Sequence, residues 1–133
     1  FHITHCNQQI KNMQSKKIMI CDDDRGILEM LELFLELEGY NVICEINSTH
    51  LTKQLISHKP DLLLLDLWMP IISGDQLIKI IRSTPEIKET PIIVLSASVD
   101  GPEIAGNLGA NGFVAKPFDL TDITDKINSI LKN

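Results

Sequence analysis

The sequence predicts an α/β domain built on a five-stranded parallel sheet with helices on both faces. Three observations lead there. Five short apolar runs lack polar alternation, the pattern of strands covered on both sides. Segments with helical apolar spacing separate them. The two kinds alternate five times along 133 residues, and such βα alternation implies parallel strands joined by right-handed crossovers.

The elements follow in order. Residues 1–15 show no sustained apolar periodicity and are expected to be a flanking segment, with 16–133 forming the domain. Met13 stands like a native start just before Ser15-Lys16-Lys17, so the residues ahead of it read as an added or upstream extension. His2, His5 and Cys6 are treated as chance occupants of that polar flank rather than a metal site. Ile18-Met19-Ile20-Cys21 is the first strand, and Ile27, Met30, Leu31, Phe34 and Leu37 give the apolar stripe of the first helix. Val42-Ile43-Cys44 is the second strand, followed by a short helix from Leu51 to Ile56. Leu62 to Leu65 is the third, and Leu77, Ile78, Ile80 and Ile81 mark the helix after it. Ile92 to Leu95 is the fourth, before a helix near Pro102 to Leu108 in which Pro102 suits the first turn. Phe113-Val114-Ala115 is the weaker fifth strand. Ile123, Ile127, Ile130 and Leu131 then mark the last helix, with Asp119 a candidate N-cap. Five strands of this kind suit a flavodoxin-like, doubly wound (βα)5 sheet in the order 2-1-3-4-5.

Composition bounds the function. Hydrophobic residues make up 44% and charged residues 23% of the chain, ordinary for one globular domain with one core. No apolar run approaches the length needed to cross a membrane, and no signal peptide is visible. The formal net charge of -6 and the lack of a basic stripe argue against nucleic-acid binding. Cys21 and Cys44 lie in apolar runs and Cys6 in the flank; no close pair suggests zinc. Buried thiols fit a reducing compartment, and the chain is expected in the cytoplasm.

Ligand sites in doubly wound sheets lie beyond the carboxyl ends of the strands, at the switch point between strands 1 and 3. There the sequence places Asp22, Asp23 and Asp24 after strand 1, Asp66 after strand 3, Ser96 after strand 4, and Lys116-Pro117 after strand 5. Two carboxylates about 4 Å apart repel by roughly 4 kcal/mol at an effective dielectric near 20. A cation, a raised pKa, or both must compensate. The donors are all oxygens, which suits Mg²⁺ or Mn²⁺. Asp66 could then be a nucleophile, since carboxylates form aspartyl phosphates. Lys116 and the Ser96 hydroxyl would stabilise the phosphoryl oxygens. Singly, each of these residues reads as a turn, cap or loop residue; together they converge. Asp24 is read as the cap of the first helix, Cys21 as core, and His50 and His58 as surface residues.

This set resembles the receiver domain of two-component response regulators, of the chemotaxis-regulator type. The match runs from about Lys16 to Leu131. It rests on Ile20-Cys21-Asp22-Asp23-Asp24, on Asp61 through Asp66 to Pro70 with Gly74 beyond, on Pro91 through Ser96-Ala97, and on Gly112-Phe113-Val114-Ala115-Lys116-Pro117-Phe118. The resemblance implies that Asp66 accepts a phosphoryl group from a sensor histidine kinase or histidine phosphotransfer protein. It implies Mg²⁺ held by Asp22, Asp23, Asp66 and the backbone carbonyl of Trp68. It makes Ser96 and Phe113 a switch pair that alters the face of helix 4, strand 5 and helix 5 toward an output domain or protein. It places Trp68 and Ala97 where they control access to the phosphoryl group and its lifetime, and makes the Lys116–Pro117 bond cis. Such a domain assists its own phosphorylation and dephosphorylation but has no conventional external substrate, and is a monomer or a phosphorylation-dependent dimer. The cognate kinase, and whether an output domain follows Asn133, stay open.

Three rivals share parts of this pattern. A module that keeps the fold without using phosphate would be expected to have lost one of the acids, the hydroxyl or the lysine. A phosphatase of the haloacid dehalogenase type needs a second Asp two residues after the nucleophile, where this chain has Trp68. A flavodoxin needs a Ser/Thr/Gly phosphate cradle after strand 1, where this chain has acids.

Overall fold

The computed structural model describes residues 15–97 and 101–131. The proposed flank lies outside them apart from Ser15, as do His2, His5 and Cys6. The elements are β1 (Lys17–Cys21), α1 (Arg25–Leu37), β2 (Asn41–Glu45), a 3-10 turn (Ser48–His50), α2 (Leu51–His58), β3 (Leu62–Asp66), α3 (Gly74–Arg82), β4 (Ile92–Ser96), α4 (Gly101–Leu108), β5 (Gly112–Ala115) and α5 (Leu120–Leu131). The strands are parallel and ordered β2-β1-β3-β4-β5, the flavodoxin-like topology the sequence predicts.

Each strand divides its side chains between two layers, because successive residues point to opposite faces. Ile18, Ile20, Leu62, Leu64, Ile93 and Leu95 pack with Leu28, Leu31 and Leu35 of α1 and with Ile123 and Ile127 of α5. Met19, Leu63, Leu65, Ile92 and Val94 pack on the opposite side with Leu51, Leu55, Leu77, Ile78, Ile81 and Ala105, from α2, α3 and α4. Ile18 to Cys21, Leu62 to Leu65 and Ile92 to Leu95 are fully buried, which is why those runs need no polar alternation.

One face differs from the sequence expectation. The core side of α1 is Leu28, Leu31 and Leu35, whereas Met30 and Leu37 of the predicted stripe are 42% and 77% exposed. Apolar residues cover more than half the circumference of α1, so several stripes can be drawn along it. The one at i, i+3 and i+7 from Leu28 meets the sheet. Asp24 caps this helix as expected, its Oδ1 accepting from the N–H groups of Gly26 and Ile27 at 2.9 and 3.2 Å.

No helix among the described residues is long and apolar enough to cross a membrane.

Candidate functional site

The sheet register builds the site. Cys21 of β1 pairs with Leu65 of β3, so the next residues, Asp22 and Asp66, leave adjacent parallel strands side by side. The chain goes one way from β1 to β2 and returns past it to β3, so helices leave these two ends on opposite faces and a crevice opens between them. Asp23 follows at the rim. Carboxylate oxygens of Asp22, Asp23 and Asp66 lie within 4.8 Å of one another. Asp22 and Asp66 are buried and Asp23 is exposed.

Lys116 reaches this group from two strands away. Ser96 of β4 pairs with Ala115 of β5, and the Lys116 N–H donates to the Ser96 carbonyl at 2.9 Å, which fixes where the lysine leaves the sheet. Its Nζ lies 3.1 Å from Asp22 Oδ2 and 3.3 Å from Asp66 Oδ1, bridging the two buried acids. The Lys116–Pro117 bond is cis. The Asp24 N–H donates to Asp22 Oδ1 at 2.9 Å, and the Trp68 N–H reaches Asp66 Oδ1 at 3.4 Å.

The electrostatics follow from burial. Desolvation, then the charge of Asp22, push Asp66 up to about 6, with Lys116 pulling the other way. Desolvation also raises Asp22, against the opposing Asp24 N–H and Lys116. For Lys116 burial favours the neutral amine, but Asp22 and Asp66 outweigh it and its pKa rises. One cation thus serves two buried acids, with the exposed Asp23 beside them. The surplus is negative, and the donors are oxygens, so the set fits a hard divalent cation.

The other predicted residues surround this centre. Ser96 is buried at the carboxyl end of β4, one residue beyond Leu95, the partner of Asp66. Trp68 is 57% exposed, and Ala97 is exposed after β4. Phe113 on β5 is half-buried and packs with the α2–α4 layer. Cys21 is buried beneath the site with its Sγ 3.8 Å from Met69 Sδ, and burial pushes its thiol up to about 12, which disfavours the thiolate. Cys44 is half-buried, His50 is exposed, and the His58 carbonyl accepts from Lys17 Nζ at 2.9 Å.

Two supporting glycines complete the arrangement. A Cβ at Gly74 would meet the Asp66 carbonyl oxygen at 2.6 Å and Leu67 Cα at 2.7 Å, so only glycine lets α3 start against the backbone of the acid strand. Gly74 already stands in the sequence motif. Gly101 does not: a Cβ there would fall 2.3 Å from Phe113 Cε1. Its one sequence signal is the Gly101-Pro102 pair at a helix start.

Fold and site define a doubly wound α/β protein with a lysine-bridged acidic centre at its switch point. Comparison with known proteins gives this class its family. The model of the response regulator receiver domain matches residues 18–128. The chain is 40% identical over 120 residues to the response regulator GtcR of Aneurinibacillus migulanus, covering 89% of this chain and 48% of that protein. It is 35% identical over 118 residues to the response regulator ArlR of Staphylococcus aureus, covering 87% of this chain and 52% of that one. Among solved structures, a protein assigned as a response regulator in Chloroflexus aurantiacus superposes with a TM-score of 0.84 at 31% identity, covering 90% of this chain and 99% of that one. The chain belongs to the response regulator receiver family of two-component systems. It spans about half the length of the curated relatives it matches. Receiver domains bind Mg²⁺ at an acidic pocket and interact with histidine kinases and output domains.

Proposed function

We propose that this chain is a working phosphoacceptor, with Asp66 taking a phosphoryl group from the phosphohistidine of a sensor kinase or histidine phosphotransfer protein. The observation that carries this reading is the Lys116 ammonium bridging Asp22 and Asp66 at 3.1 and 3.3 Å, within an acid trio spanning 4.8 Å or less.

The deprotonated Asp66 carboxylate attacks phosphorus. The P–N bond of phosphohistidine breaks, its electron pair stays on the imidazole, and a mixed anhydride forms on Asp66. Lys116 shifts from pairing two carboxylates to pairing Asp22 and the phosphoryl oxygens, and the Ser96 hydroxyl donates to one of those oxygens. Asp22, Asp23, Asp66 and the Trp68 carbonyl would hold Mg²⁺ or Mn²⁺, which supplies charge neutralisation at the phosphoryl oxygens. Hydrolysis later returns Asp66 to the free acid. Trp68 lacks a carboxamide to orient water, and its bulk beside the acceptor restricts approach and lengthens the phosphoryl lifetime. Ala97, exposed after β4, adds little side-chain bulk near the site. The test of that detail is the dephosphorylation rate of Trp68→Asn, expected to rise; an unchanged or slower rate contradicts it.

The output follows from packing. Ser96 moving toward the phosphoryl group vacates space that the Phe113 ring enters, and the α4–β5–α5 face changes with it. Phe113 has no phenolic hydroxyl, so the switch here is one of volume alone. The partner is a downstream domain or protein, and the setting is the cytoplasm, consistent with the free thiols of Cys21 and Cys44.

The experiment is incubation with acetyl phosphate and Mg²⁺ followed by intact mass. The reading predicts one added phosphoryl mass in the native chain and none in Asp66→Asn. No gain in the native chain with any competent small donor would favour a phosphate-independent binding module.

A further inference from the structure

Ser48 is buried at the start of the 3-10 turn that follows β2. A serine at a helix start ordinarily accepts from the N–H groups of its own helix. Here Asn47 does so instead, its Oδ1 accepting from the Thr49 N–H at 3.0 Å. The Ser48 hydroxyl donates away from its own turn, to the Pro70 carbonyl at 3.1 Å, across 22 residues of sequence.

Pro70 lies in the loop between β3 and α3. The Ile72 N–H donates to the same Pro70 carbonyl at 2.9 Å, closing a tight turn in which Ile71 takes a φ of 71°. A β-branched residue is strained there. Such a conformation persists only where its surroundings over-determine it. The Ile71 side chain is 81% exposed and adds little packing of its own. The other end of the loop is held by the sheet: the Leu67 N–H donates to the Leu95 carbonyl at 3.0 Å, and the Gly74 N–H donates to the Leu67 carbonyl at 2.8 Å. Trp68 therefore sits between a start fixed on β4 and an end fixed by Ser48.

The same β2–α2 turn holds the opposite side of the acid centre. The Glu45 carbonyl accepts from the Asp22 N–H at 3.3 Å. The Glu45 carboxylate is buried, and accepts from the Asn47 N–H at 2.9 Å and from Gln54 Nε2 at 3.2 Å, which stiffens the turn. Residues Glu45 to Ser48 thus bridge the backbone of Asp22 to the backbone of Pro70. The proposed metal ligands divide across that bridge, with Asp22 and Asp23 on one side and the Trp68 carbonyl on the other. Mg²⁺ demands near-ideal octahedral geometry, so a ligand carbonyl free to drift weakens its binding.

We propose that Ser48 is a positioning residue for the divalent cation, holding through the Pro70 carbonyl the loop that offers the Trp68 carbonyl to the metal. This rests on the reading of the acid trio and the Trp68 carbonyl as the Mg²⁺ site.

The test measures Mg²⁺ affinity by the fluorescence of Trp68, the chain's one tryptophan, and by calorimetry. It compares the native chain with Ser48→Ala, Ser48→Cys and Thr49→Ala. The two changes at Ser48 remove the hydroxyl bond, since a thiol is a weak donor, and the cysteine keeps the side-chain volume should the alanine variant fold poorly. Both should bind Mg²⁺ about fivefold more weakly, the size of one lost neutral hydrogen bond. Thr49→Ala alters the same turn without touching Pro70 and should keep native affinity. Labelling of the Ser48 variants by acetyl phosphate should fall at limiting Mg²⁺ and recover at saturating Mg²⁺, because bound metal then orders the loop. Native Mg²⁺ affinity in the Ser48 variants would overturn the proposal, whatever their melting temperature. So would an equal loss in Thr49→Ala, or a labelling defect that saturating Mg²⁺ leaves unrepaired. A native chain that binds no Mg²⁺ is a different result, and strikes the metal reading instead.

Discussion

The ring of Phe113 lies over the backbone of Gly101, with Cε1 2.3 Å and Cζ 2.7 Å from where a Cβ would stand. The first residue of α4 and the aromatic residue of β5 therefore occupy one shared volume. A side chain at position 101 would require the half-buried ring to move. Gly101→Ala should destabilise the domain by about 1–3 kcal/mol through overpacking. Urea unfolding measures this, and Phe113→Leu in the same chain should recover part of the loss, as coupling between contacting residues requires. Additive effects would show that the two do not share the space.

Asp66 makes stability depend on pH. Its folded pKa is raised from 3.8 to about 6, so the folded state holds this proton more tightly than the unfolded one. The contribution of Asp66 is fully present below about pH 4 and is lost as pH rises through 6. Asp66→Asn, free of metal, should therefore be more stable than the native chain at pH 7.5, by up to about 3 kcal/mol. That figure already contains the opposing pull of Lys116. The gain should shrink toward pH 4. Thermal melts at the two pH values in chelator measure it, and a gain independent of pH contradicts the assignment.

Mg²⁺ should stabilise the native chain at pH 7.5, by about 2.7 kcal/mol when its concentration is a hundred times its dissociation constant, and raise its melting temperature accordingly. The increase should fall away below pH 6 as Asp66 keeps its proton, and should be much reduced in Asp23→Asn. An equal rise in that variant would place the cation elsewhere.

Gly74→Ala acts on the acid strand through the backbone. Its methyl would press on the Asp66 carbonyl and on Leu67, neither of which is a flexible side-chain end. A destabilisation of at least about 2 kcal/mol is expected, together with slower labelling by acetyl phosphate. Unfolding and labelling on one preparation check both.

Arg82 has a purely structural task. Its guanidinium donates to the carbonyls of Lys88, Thr90 and Gly109 and to Asn111 Oδ1, at 2.7 to 3.1 Å. It ties the end of α3 to the strand entries at β4 and β5. Arg82→Lys keeps the charge and loses the fork, and should destabilise by about 1–3 kcal/mol. Among the described residues no carboxylate forms an ion pair with it, and Lys keeps the charge that Glu89 acts on, so the loss should largely persist at high salt, which denaturation in both conditions would reveal.

Much of this architecture was readable in the residues, for physical reasons. Strands buried on both faces must be apolar throughout, so Ile18 to Cys21 and Leu62 to Leu65 announced themselves. Parallel topology then delivered Asp22, Asp66, Ser96 and Lys116 to one edge without any distance being known. What was not readable depends on three-dimensional packing. The rotation of α1 was ambiguous because Met30, Leu33 and Leu37 extend its apolar arc beyond the core. Arg82 bonds to backbone carbonyls, which carry no residue-type signature. The Gly101–Phe113 contact is set by how a helix start meets an edge strand. The positive φ of Ile71 is hidden because the residue there is not a glycine.

The central claim is that Asp66 carries the phosphoryl group. Borohydride reduces an acyl phosphate to the alcohol, so treating the labelled chain with it and sequencing the peptides across Ile18 to Asp24 and Leu62 to Pro70 locates the modified acid directly. Homoserine at position 66 and nowhere else is the predicted result. Homoserine at Asp22 or Asp23, or an unmodified Asp66 in a chain that has gained phosphoryl mass, would contradict it.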